Sequence, residues 1–146
     1  MAPYNIKSNR YIQAGVGSVG QYQVAGKPFV SGGISVAGLP DNTPLEISFP
    51  TVTRWIVLNN HDTTNNNEVR VAFSTAGFSS NNYFTISEDT GDYTNTQTPR
   101  LELKVTKLYI TGGANGASTN VDIIAGLTGI PSSSIPNSWA GSDGVG

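Results

Sequence analysis

Along the last third of the chain, apolar and polar positions alternate. Leu101, Leu103 and Val105 are separated by Glu102 and Lys104, and Val121, Ile123, Ala125 and Leu127 recur at every second position. A period of two places one set of side chains on each face of an extended chain, so both runs are expected to be strands. The glycine- and asparagine-rich stretch 112–120 between them reads as a turn region, making 101–131 a bent β-ribbon that Pro131 ends. After Val105 the apolar positions jump to Leu108 and Ile110. That slip of one residue predicts a β-bulge near Lys107.

The earlier chain supplies six further candidates. Residues 22–31, interrupted by Pro28, and residues 34–36 are expected as two short strands, and Leu45, Ile47 and Phe49 mark a third that Pro50 closes. Residues 54–59 carry Trp55 and Val57 on one face and Ile56 and Leu58 on the other. An apolar pattern on both faces predicts a central strand, or one whose outer face another chain covers. Val69, Val71 and Phe73 alternate again, and residues 83–87 make the sixth. No stretch of useful length repeats every 3.6 residues. Eight short strands with turn signals between them predict an all-β sandwich, and a single eight-stranded jelly roll fits that count.

The expected division is an N-terminal arm over 1–20, a jelly-roll domain over 21–131 and a C-terminal arm over 132–146. Both arms are rich in small residues and carry apolar residues only at intervals. A tryptophan in such a tail needs a pocket for its ring, on the domain's own flank or in a neighbouring subunit. Tyr4, Tyr11, Ile135 and Trp139 are therefore the expected assembly contacts.

Composition narrows the function classes. With 146 residues the chain has the length of one domain, and it has no cysteine for disulfides or a thiolate metal site. A formal charge of −2 with 12% charged residues gives no electrostatic case for direct nucleic-acid binding. The first residues lack the apolar core of a secretory signal, no run approaches a membrane span, and no membrane insertion is expected.

Candidate chemistry is sparse. His61 is the sole histidine, lying beside Asp62 in a polar loop without a Gly-x-Ser-x-Gly elbow, and reads as a solvated loop residue. Glu88, Asp89 and Asp92 are the densest carboxylates, and jelly-roll order would bring them towards Asp41 and Asp62. Calcium prefers such oxygen ligands, but the spacing does not match the twelve-residue EF-hand loop, so no metal or other cofactor is assigned. Trp55, Tyr83, Tyr93 and Tyr109 offer rings that can stack on sugars, although Trp55 sits in an apolar strand. Arg100, Lys104 and Lys107 surround Glu102 as a mixed, solvated face. No catalytic residue is assigned and no enzyme is expected.

The succession FPTVTRWIVLNN, VRVAFS, NYFTIS, LELKVTKLYITG and IIAGLTGIP resembles the single jelly-roll capsid proteins of icosahedral double-stranded DNA viruses. The resemblance covers roughly residues 20–131 and rests on strand pattern and order rather than on an invariant motif. It implies a structural virion protein, made in the host cytoplasm and built into the capsid shell. A vertex (penton) role in a homopentamer beside other capsid proteins is the first expectation. A decoration or cement protein is the alternative, and a carbohydrate-binding attachment module a further one.

Overall fold

The computed structural model describes residues 26–38, 43–61, 67–87, 96–113 and 118–134. Among them are seven strands: β1 (Lys27–Val36), β2 (Leu45–Ser48), β3 (Thr51–Asn60), β4 (Val69–Ala72), β5 (Phe84–Ile86), β6 (Lys107–Gly112) and β7 (Thr119–Pro131). They form two antiparallel sheets, ordered β1-β7-β3 and β2-β6-β4-β5. The all-β expectation holds. The N-terminal arm 1–20, with Tyr4 and Tyr11, lies outside the described residues, as do Ile135 and Trp139 of the C-terminal arm.

The inward set of each strand fills one core. Ile56 and Leu58 of β3 and Val121, Ile123, Ala125 and Leu127 of β7 pack with Val69 and Val71 of β4 and Leu108 and Ile110 of β6. The alternation along 121–127 thus marks the buried face of β7, as its period requires.

Two early candidates are one strand. The Gly32-Gly33 step between them is a bulge in β1, where the register to β7 shifts between Ser31 and Ile34. Gly33 takes φ 63°, a left-handed value that glycine adopts without steric cost.

The expected ribbon over 101–131 is not formed. β6 pairs with β2 and β4 in one sheet, whereas β7 pairs with β1 and β3 in the other. Ahead of β6, residues 96–105 run antiparallel along the free side of β3, with bridges at Ile56–Leu101 and Asn59–Gln97. Leu101 and Ile56 exchange both backbone hydrogen bonds, at 2.9 Å each. Pro99 lacks an N–H, and the three-residue step from Thr98 to Leu101 spans only the two-residue step from Leu58 to Ile56 on β3, so the segment stays irregular. The Thr53 hydroxyl replaces part of the missing ladder, donating to the Leu103 carbonyl at 2.6 Å and accepting from the Val105 N–H at 3.0 Å.

The slip near Lys107 is therefore a change of sheet rather than a bulge in one strand. Through Val105 the chain bonds to β3. At Thr106 it bends, its carbonyl accepts the Phe49 N–H at 2.8 Å, and from Lys107 it pairs with β2.

A buried polar clasp closes one end of the sandwich. Asn60, at the end of β3, donates from Nδ2 to the carbonyls of Asn67 (2.9 Å) and Ser87 (3.3 Å). Its Oδ1 accepts the Thr119 hydroxyl at 2.9 Å, and its backbone N–H reaches the Thr96 carbonyl at 2.7 Å.

Candidate functional site

The outer face of the three-stranded sheet is where unpartnered apolar surface gathers. Ile124 of β7 lies opposite Val30 of β1 on one side and Val57 of β3 on the other. Val30 is 72% exposed and Ile124 44%, so a cross-strand row that would normally be polar on a solvated face is aliphatic. In the next row Gly126 lies between Pro28 and Trp55. The second apolar face expected for residues 54–59 is this one.

One margin of the face is charged and ordered. Arg54 and Arg100 both bind Glu102, with Arg100 Nε 2.8 Å from Oε1, and the Arg100 guanidinium lies 5.2 Å from the Trp55 ring centroid. The charge cluster around Glu102 is thus split in a way not expected from the sequence. Arg100 belongs to the edge of the three-stranded sheet, while Lys107 belongs to β6 in the other.

The end of the face towards the β1 bulge carries the His61–Asp122 pair. Asp122 points outward from β7, accepts the Gly33 N–H on Oδ1 at 2.7 Å and bonds His61 Nε2 through Oδ2. The Gly33 amide first, and then His61, hold its carboxyl below the usual carboxylate range. His61 is exposed, as a loop histidine should be, but it is engaged by Asp122 rather than only solvated. The adjacent Asp62 lies outside the described residues. Nothing in the sequence pattern singled out Asp122. The pairing register Asn59–Asp122 is what brings it to the end of β3. Through Asp122, the Gly33 amide and His61 are tied together across the outer face.

This tie predicts a small acid-side effect. Because Asp122 prefers its ionised form in the folded protein, its contribution is complete above the unfolded value of about 3.9 and disappears as pH falls through the lower folded value. Thermal melts of Asp122→Asn against the wild type should differ by at most about 1 kcal/mol at neutral pH, since the pair is partly solvated. The gap should close towards pH 3 and below. Two curves that fall in parallel with pH would show that the carboxylate does no such work.

The rings named for a sugar platform already carry cations. Arg70 lies 5.0 Å from the Tyr83 ring, which also stacks on Phe78, and Lys107 lies 5.5 Å from the Tyr109 ring. Trp55 has Arg100. The Tyr109 hydroxyl donates to Glu46 at 3.0 Å, and the Ser48 hydroxyl followed by Tyr109 keep the Glu46 carboxyl below its ordinary value. Tyr93 lies outside the described residues.

The described residues that flank 39–42, 62–66 and 88–95 include several that bond to one another or to Gly112 and Gly113. Asn60 touches Asn67, Ser87 and Thr96, the Gly112 N–H donates to the Ala37 carbonyl at 3.1 Å, and the Gly113 N–H to Glu68 at 2.7 Å. Asp41, Glu88, Asp89 and Asp92 lie outside the described residues. Among the described residues no group of three or more His, Asp or Glu is placed to hold a metal ion.

No family model matches the chain, and no curated protein or solved structure matches it. No helix among the described residues is long and apolar enough to cross a membrane.

Proposed function

We propose that the chain is an eight-stranded jelly roll serving as a structural, non-enzymatic subunit of an icosahedral virion shell, at a vertex and in five copies. The observation that carries the fold reading is the nesting of the antiparallel pairs. With residues 96–105 counted as the sixth strand, the first strand pairs with the last (β1 with β7) and the second with the seventh (β2 with β6). The third pairs with the sixth (β3 with 96–105) and the fourth with the fifth (β4 with β5). This is one long hairpin rolled over itself, and the β7–β3 and β6–β4 pairings close the roll.

A jelly roll alone does not give a function. The shell reading adds the resemblance of the strand sequences to capsid subunits and the aliphatic row on the outer face. In this reading that face supplies the contact between copies, and closed symmetry repeats one modest interface around a ring. The cations over Trp55, Tyr83 and Tyr109 favour rigid, internally satisfied surface over a sugar platform.

Native mass measurement of the purified protein tests the reading. Five copies are expected. Three would move the assignment to a cement protein, and a single copy that binds glycans would replace the shell role with an attachment module.

A further inference from the structure

Copies in a closed ring meet head to tail, so each must offer two different patches that fit one another. In the shell reading the outer face of the three-stranded sheet is the first patch. Beside its aliphatic row it carries a cation, an acid and a ring. Arg100 bonds Glu102 through Nε and lies over Trp55, and its side chain is 56% exposed. Bonding through Nε leaves the terminal nitrogens of the planar fork for a second carboxylate.

The outer face of the four-stranded sheet repeats that trio. Glu46 of β2 and Tyr109 of β6 are cross-strand partners, and both point away from the core because they alternate with the buried Ile47, Leu108 and Ile110. Lys107 Nζ lies 3.6 Å from Glu46 Oε2 and 5.5 Å from the Tyr109 ring centroid. The Ser48 hydroxyl first, and then Tyr109, hold the Glu46 carboxyl below its ordinary value. Tyr109 first, and then Glu46, hold the Lys107 ammonium above its own, so both members of the pair stay charged. Leu45 sits next to Glu46 on this edge strand. With Val30 and Ile124 it makes up the exposed large hydrophobic residues among those described.

Two ion pairs on different sheets, each seated on an aromatic ring, are complementary when laid antiparallel, because the cation of each then meets the acid of the other. We propose that the second patch is the β2 side of the four-stranded sheet. Leu45 of one copy packs on the aliphatic row of the next, while its Glu46 binds Arg100 and its Lys107 binds Glu102 across the contact. The proposal rests on the ring reading and supplies the half of the contact that the aliphatic row lacks.

A charge exchange in the full chain tests it. Glu46 and Arg100 are both exposed, so Glu46→Arg and Arg100→Glu should each keep the strand circular dichroism of the wild type. Each single exchange sets like charges across the contact and should raise the concentration for half assembly by at least about 10-fold, read by native mass measurement over a dilution series. The double variant restores an opposite pair and should recover most of that loss. Single variants that assemble like the wild type, or a double variant no better than the weaker single one, overturn the proposal and leave the ring standing. A wild type found as single chains at every concentration overturns it together with the ring.

Discussion

Asn60→Ala is expected to lower stability by about 3 kcal/mol, because it strips partners from the buried Thr119 hydroxyl and Asn67 carbonyl and from the part-buried Ser87 carbonyl at once. The side chain is 2% exposed. Its removal takes the amide from the Asn67 and Ser87 carbonyls and the acceptor from the Thr119 hydroxyl. Each buried group left without its bond costs about 1–3 kcal/mol, less where water enters the gap. For a chain of this size that corresponds to a melting temperature lower by roughly 10 °C. Combining Asn60→Ala with Thr119→Val should recover about 1 kcal/mol relative to additivity, since the second change removes a hydroxyl already lacking its acceptor. A loss below about 0.5 kcal/mol in denaturant titrations would mean that solvent already satisfies the clasp. The consequence reaches beyond stability. Asn60 joins the ends of both sheets at the point where the loops after β3 and β5 depart, so its loss should loosen that whole end.

Placing a carboxylate in the aliphatic row should separate the copies of the proposed ring while leaving each one folded. Ile124→Asp, alone or with Val30→Asp, puts charge at the centre of the outer face, where both wild-type residues are exposed in the single chain. The folded domain should lose no more than about 1 kcal/mol, because little core contact is removed. Association should weaken by roughly 100-fold or more, since burying an unpaired charge costs several kcal/mol. In native mass spectrometry the variant is expected as single chains, against the five copies proposed for the wild type. A variant that still assembles in fives would shift the contact away from this face, and with it the physical role given to Val30, Ile124 and Val57.

The strands themselves were largely legible. Alternation in 45–49, 69–73 and 121–127 marked β2, β4 and β7 because a pleated strand between core and solvent imposes that period on the side chains. The two apolar faces of 54–59 likewise announced that β3 has an outer face unlike a simple solvated one. Less legible were the strand ends. Gly32-Gly33 looks like a turn in a sequence, and only the pairing with β7 shows it to be a bulge within β1. The sequence contains His61 and Asp122 sixty-one positions apart, and nothing local links them; the Asn59–Asp122 register does.

The stretch 101–131 separates the two kinds of information. Its sequence determined that the chain is extended, which side chains turn inward, and that something interrupts the pattern between Val105 and Leu108. Periodicity is a property of one strand against one interface, so it can reveal these things without knowing the neighbour. Which neighbour each strand takes is settled by packing two sheets face to face, where burying Ile56, Leu108, Ile110 and Ile123 together outweighs the local ease of a hairpin. Only the tertiary structure therefore decided that the break at Thr106 carries the chain from one sheet to the other, and that β6 and β7 lie in different sheets instead of pairing side by side.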